Sequence, residues 1–210
     1  MKRIFFVALL LPVLYFSTGC KKSNEADIPS LFKNTVWTGR FTYLGMTEEP
    51  YSLQFKEDGT FTWIRYQASS TGNWTLSGSQ LSLVFSATVT IKADVSNDKT
   101  LTNIQNNPAG GWLFSSGQYN TATEQAIDNT TWKENNNAGA LTFSTSSKVS
   151  GTGIFGSLQN NDSYFRIGAV LTFPSGFNVT YFSVLQPDGK TMVLINKTFP
   201  NYHPYVLTRQ

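Results

Sequence analysis

The sequence predicts an all-β protein: a tandem repeat of two small antiparallel β-barrel or sandwich units. Three observations carry this. Apolar and polar residues alternate with period two, as in Tyr51-Ser-Leu53-Gln-Phe55, Thr60-Phe61-Thr62-Trp63 and Leu81-Ser-Leu83-Val-Phe85, the pattern of half-buried strands. Turn chemistry punctuates it at Glu57-Asp58-Gly59, Ser77-Gly78-Ser79, Ser96-Asn97-Asp98 and Pro187-Asp188-Gly189. The chain also echoes itself: Asn34-Thr35-Val36-Trp37 recurs as Asn129-Thr130-Thr131-Trp132. Short strands at spacings near ten residues point to an up-and-down barrel or a sandwich.

From the N-terminus, Lys2 and Arg3 precede an apolar run from Ile4 to Phe16. This reads as the basic and apolar regions of an export signal, and is too short to span a bilayer as a helix. Ser17-Thr18-Gly19-Cys20 resembles the lipobox of bacterial lipoproteins, with serine where leucine is commonest. The resemblance implies cleavage before Cys20 and a covalent lipid, diacylglycerol and palmitate-like chains, on its thiol; several acyl chains anchor a protein stably. Residues 1–19 are then the signal peptide and 20–30 the acylated cysteine with a polar tether. Lys21 and Lys22 do not resemble the aspartate signal for inner-membrane retention, so the outer membrane is expected, with the leaflet open.

The repeat continues past its first tetrad. Leu53-Gln-Phe55 matches Leu141-Thr-Phe143, Leu81-Ser-Leu83-Val-Phe85 matches Ala169 to Phe173, and Asn97 to Leu101 matches Asp188 to Met192. The first unit is placed at 31–118, a linker at 119–126, and a second, diverged unit at 127–210. Each unit closing its own barrel, or the two forming halves of one pseudo-symmetric structure, both fit the pattern.

Trp37, Gly59-Thr-Phe-Thr-Trp63 and Gly72-Asn-Trp-Thr-Leu76 before Leu81-Ser-Leu83 resemble the lipocalin-like (calycin-like) lipoproteins of bacteroidetes. The resemblance covers the first unit well and the second loosely, since counterparts of Trp63 and Trp74 are missing there. It implies an antiparallel barrel with an apolar interior cavity, and it names no ligand.

Composition narrows the function. The signal holds two of the sixteen basic residues and none of the thirteen acids, leaving the mature chain near neutral, so nucleic acid is not an expected partner. Cys20 is the single cysteine and His203 the single histidine, so no disulfide, thiol nucleophile, histidine-based catalytic set or metal site is expected. The acids fall mostly in turns; Asp58 and Asp188 read as turn formers, and Asp94 as an outward strand residue. Apart from the lipid on Cys20 no cofactor is expected, and neither is enzymatic activity.

Binding is the remaining class. Barrels take small ligands at their mouths through aromatic walls and a few polar groups. Trp37 and Trp132, repeated in both units, read as core. Trp63, Arg65 on the same strand face, and Trp112 beside Gly110-Gly111 are the candidate ligand-binding residues. The expected ligand is a small apolar molecule or a glycan. The competing expectation is a structural module that binds another envelope protein and has no small-molecule site.

Overall fold

The computed structural model describes residues 28–107, 111–158, 162–174, 180–196 and 203–210. The signal segment and Cys20 lie outside the described residues. Strand-forming residues dominate what is described, and the strands make two antiparallel sheets, one per repeat. The first contains β1 (Thr35–Tyr43), β2 (Glu49–Phe55), β3 (Thr60–Arg65), β4 (Ala68–Ser77), β5 (Gln80–Ser86), β6 (Val89–Val95), β7 (Leu101–Asn106) and β8 (Trp112–Tyr119). The second contains β9 (Thr130–Glu134), β10 (Gly139–Ser144), β11 (Lys148–Gly153), β12 (Asp162–Ser163), β13 (Phe165–Ile167), β14 (Val170–Pro174), β15 (Thr180–Leu185), β16 (Thr191–Asn196) and β17 (His203–Arg209).

Each sheet curls into a nearly closed up-and-down barrel whose first strand pairs with both the second and the last. β1 lies between β2 and β8, and β9 between β10 and β17. The seams differ. In the first barrel the chain just before β7 meets β8 at one isolated bridge, Thr100 with Gln118, and Tyr119 donates its backbone N–H to the Lys99 carbonyl at 3.0 Å. Further along, the Asn106 side chain substitutes for a backbone partner. Its Nδ2 donates to the Phe114 carbonyl at 3.0 Å, and its Oδ1 accepts the Phe114 N–H at 2.8 Å. In the second barrel the last two strands pair fully, and the break lies at Tyr164. β12 before it pairs with β11, β13 after it pairs with β14, and Tyr164 packs against Phe143 at 5.3 Å.

The repeat is structural down to single residues. Asn34 and Asn129 both take positive φ, 54° and 58°, a conformation asparagine tolerates better than most residues. They turn the chain into the first strand of each unit. Trp37 and Trp132 are fully buried and stand opposite Leu53 and Leu141 in register. The Trp37 indole donates to the Leu31 carbonyl at 3.1 Å, and the Trp132 indole to the Thr130 hydroxyl at 2.8 Å. The Asp58, Asp98 and Asp188 turns share one design. Each carboxylate accepts from a threonine hydroxyl, Thr60, Thr100 and Thr191 respectively, and the next residue (Gly59, Lys99, Gly189) has positive φ.

The first barrel is packed through its middle. Leu53, Phe55, Phe61, Trp63, Leu81 and Leu83 are buried in one cluster, with Phe85 against it. The expected apolar interior cavity is therefore filled by the barrel's own aromatic and aliphatic side chains. Backbone tolerances are tight. Gly39 pairs with Gly117, and a Cβ on Gly39 would meet the Ser116 carbonyl oxygen at 2.1 Å and the Tyr51 hydroxyl at 2.7 Å. The two glycines make room for Tyr51, whose hydroxyl donates to Ser116 at 2.7 Å; burial raises its pKa well above the usual phenol value. A 3-10 helix at Ile28–Phe32 closes one pole, so residues 28–30, expected in the tether, belong to the folded unit. Phe32 stacks on Trp37 at 4.8 Å and meets Phe55 edge-on at 4.9 Å.

The barrels pack on each other through outward faces. β2 is buried on both sides along most of its length and contacts β15 and β16. Val36, Ile64 and Tyr66 of the first unit join the core cluster of the second. Asn120, buried in the link, ties the three parts together. Its Nδ2 donates to the Thr38 hydroxyl at 3.1 Å and to the Leu185 carbonyl at 2.7 Å, and its Oδ1 accepts the Ala122 N–H at 2.8 Å. The expected linker is thus ordered: Tyr119 ends β8, and Ala122–Glu124 forms a 3-10 turn. Arg166 donates to the carbonyls of Ala122, Thr123 and Gln125 in that segment and to Gly168.

Candidate functional site

The pole opposite the Ile28–Phe32 plug is open. Strand parity sends Phe41 and Tyr43 of β1, Glu49 of β2, Arg65 of β3 and Trp112 of β8 toward it, and these five line a cleft of about 260 Å³. Phe41 stands opposite Glu49, and Tyr43 opposite Trp112, across neighbouring strand pairs.

The three residues singled out from sequence come together here. The Arg65 guanidinium lies 4.8 Å from the Trp63 ring centroid and 5.6 Å from that of Trp112, and the two indoles meet edge-on at 4.9 Å. A cation over an indole face is stabilised by the ring quadrupole, by about 0.5–2 kcal/mol depending on desolvation. Trp63 itself is 0% exposed. It forms the floor beneath Arg65 and also packs against Phe41 at 5.2 Å and Phe85 at 5.3 Å. Its indole Nε1, and the Arg65 Nε, are buried atoms without a hydrogen-bond partner. Trp112 is half-buried and lines the cleft.

Three lining residues, Phe41, Tyr43 and Glu49, are not among the ligand-binding candidates the sequence offers. Glu49, 5% exposed, follows the β1–β2 loop and continues the inward parity of Tyr51, Leu53 and Phe55, but a carboxylate at the start of that run reads from sequence as an outward or loop acid, and its place opposite Phe41 shows it lining the mouth. Tyr43 is the last residue of β1, paired with Trp112. Around the rim Leu44 is 69% and Met46 63% exposed, with Leu113 beside Trp112 also exposed. Leu44 has φ 49°, an uncommon conformation for a γ-branched side chain, in a tight turn closed by Met46 N–H to the Tyr43 carbonyl at 2.9 Å.

Elsewhere the acids do structural work. Asp58, Asp98 and Asp188 are turn formers, and Glu134 accepts from the Asn136 and Ala138 amides in the β9–β10 turn. Hydrogen bonds from Thr60 lower the Asp58 pKa, and those from Ser96 and Thr100 lower that of Asp98. At Asp188 burial pulls upward, but the bonds from Thr191 and Lys190 outweigh it and the pKa falls. Asp94 accepts from Asn103 Nδ2 at 2.8 Å on the outer face of β6. His203 lies in β17 opposite Asn196. Among the described residues no group of three His, Cys, Asp or Glu is placed to hold a metal ion.

Comparison of the chain with protein-family models, with curated proteins and with solved structures found no match.

Proposed function

We propose that this chain is a lipid-anchored, non-enzymatic binding module that takes a sugar ring in the open mouth of its first barrel. The observation that carries the reading is the composition of the cleft: indole and phenol faces from Trp112 and Tyr43, a guanidinium donor from Arg65 and a carboxylate acceptor from Glu49, around about 260 Å³. Apolar C–H faces of a sugar stack on aromatic rings, while its hydroxyls donate to carboxylates and accept from guanidinium groups. Opposite charges on the two polar residues favour a neutral polyhydroxyl ligand over a strongly anionic one. The packed interior argues against a fatty acid held inside the barrel.

The anchor fits this use. With Cys20 acylated in the outer membrane, the tether enters at the plugged pole beside Ile28, and β1 runs from there to the mouth. Nine residues at about 3.3 Å each make β1 about 30 Å long, so the mouth lies at the end of the barrel away from the anchor. Cys20→Ser should release the protein from the membrane fraction; retention would remove the anchor from this reading.

A glycan array probed with the full chain tests the site. Binding that is lost in Trp112→Ala and Arg65→Gln, with thermal melting unchanged in Arg65→Gln, is expected; binding indifferent to both substitutions overturns the assignment. The exposed rim of Leu44, Met46 and Leu113 favours a second reading, an envelope protein seated on the mouth. In that case Leu44→Ser, and not Arg65→Gln, abolishes partner capture.

A further inference from the structure

We infer that the sugar taken at the mouth carries an N-acetyl group, read by Arg65, Glu49 and Phe41. This rests on the sugar reading of the mouth and names the class of sugar. The two charged residues of the cleft are complementary: Arg65 brings donors only, Glu49 acceptors only. A carboxylated sugar would suit the guanidinium, but its charge would lie beside Glu49, which is 5% exposed. An amino sugar would suit Glu49, but its ammonium would lie beside Arg65. In a cleft with little water to screen them, each like-charge pair is costly. A neutral substituent remains.

Among neutral substituents the lining decides. Phe41 is 2% exposed and stands opposite Glu49 in register, so a phenyl ring and an acceptor lie side by side at the inner end of the cleft. A trans acetamido group carries its methyl and its N–H on one edge and its carbonyl on the other. The first edge matches Phe41 and Glu49. The carbonyl edge matches Arg65 on β3, the strand beside β2. The Arg65 Nε is buried and has no hydrogen-bond partner among the described residues, and an unmet buried donor costs free energy until an acceptor arrives. A hydroxyl would serve the polar pair and offer nothing to the ring.

The barrel architecture does not itself call for these residues. Leu53 faces Trp63 in register as Leu141 faces Gly151, so the second-barrel counterparts of Glu49 and Arg65 are Asn137 and Gly153. There the space over Gly139 and Gly151 is filled by Phe155, which is 0% exposed and packs against Tyr181 at 6.1 Å and Tyr205 at 5.5 Å. The charged pair has no counterpart in that barrel.

The test titrates the full chain carrying Cys20→Ser with the methyl β-glycosides of glucose, glucosamine, N-acetylglucosamine and glucuronic acid, at about pH 6 so that the amine is charged. The N-acetylglucosaminide should bind roughly ten- to a hundredfold more tightly than the glucoside, as expected for a hydrogen bond to a charged group, and more tightly than either charged glycoside. Two variants then exchange the exclusions. Glu49→Gln removes the charge that repels a carboxylate, so the glucuronide should gain about tenfold. Arg65→Gln should do the same for the glucosaminide. Thermal melting shows that each variant is folded, and the parent panel decides the class even where one is not. A glucoside or glucuronide bound by the parent as tightly as the N-acetylglucosaminide overturns the N-acetyl assignment and leaves the sugar site standing. No response to any of the four removes the sugar site, and this inference with it. An N-acetyl preference unchanged in both folded variants overturns the roles given to Arg65 and Glu49.

Discussion

Replacing Trp37 by alanine probes the packing of the first barrel most sharply. The ring is fully buried. It stacks on Phe32 at 4.8 Å with an interplanar angle of 11° and meets Tyr119 edge-on at 6.1 Å. Burying a ring of ~200 Å² at about 25 cal/mol per Å² gives an upper bound of about 5 kcal/mol, and the stacking on Phe32 adds about 0.5–1.5 kcal/mol. Part of this returns if Phe32, carried on a short 3-10 helix, collapses into the void. The lost indole bond costs toward the low end of its range, because the Leu31 carbonyl keeps the Thr35 hydroxyl at 2.6 Å. The net expectation is a loss of about 3–5 kcal/mol, read from urea unfolding followed by far-ultraviolet circular dichroism. Trp132→Ala should lose a similar amount, since its ring is equally buried. Trp37→Phe, which keeps an aromatic plug but removes the indole donor, should lose about 1–2 kcal/mol. A loss below about 1 kcal/mol in both alanine variants would refute the claim that these rings close the two cores.

Two further outcomes follow from the hydrogen-bonded joints. Asn120→Ala strands the buried Leu185 carbonyl and Ala122 amide; a cost of roughly 2–4 kcal/mol is expected, and Asn120→Asp should be worse because an oxygen then faces the Leu185 carbonyl. Equal stability of the three proteins in urea would show that the joint between the barrels is not held there. The second concerns acid. The folded pKa values of Asp58, Asp98 and Asp188 lie below their ordinary values, so their contribution is fully present above the unfolded aspartate range, near 3.9. It is lost as pH falls through the lowered folded values. The triple asparagine variant should therefore show a shallower fall in melting temperature between about pH 4 and pH 2, and an unchanged slope would contradict the turn geometry.

What was legible in the sequence was whatever is local or repeated. Alternation marked the strands. The tetrad ending in Trp37 and Trp132 fixed where each unit begins, and the Leu53–Phe55 and Leu141–Phe143 matches carry the same register in both barrels. The parity of Trp63 and Arg65 on one strand placed both on the inner face. Non-local features were hidden. The Ile28–Phe32 plug is five residues with a proline, too short for a periodic signal. Val36, Ile64 and Tyr66 look like ordinary outward strand or turn residues until the second barrel covers them. Glu49 shares the cleft with Trp112 only because β8 returns beside β1 more than sixty residues later. The filled interior was also not readable, because the same inward aromatics can line a cavity or occupy it, and only their mutual distances distinguish the two.

The five tryptophans serve as built-in reporters of where a ligand sits. Indole N–H resonances of the nitrogen-15-labelled full chain, followed while a glycan selected from the array is added, address the mouth of the first barrel directly. The expected result is movement of Trp112 and of Trp63 beneath Arg65, with Trp37 and Trp132, on the plug side and in the second barrel, unmoved. Saturable shifts confined to Trp37, Trp74 or Trp132 would contradict a sugar site at the mouth.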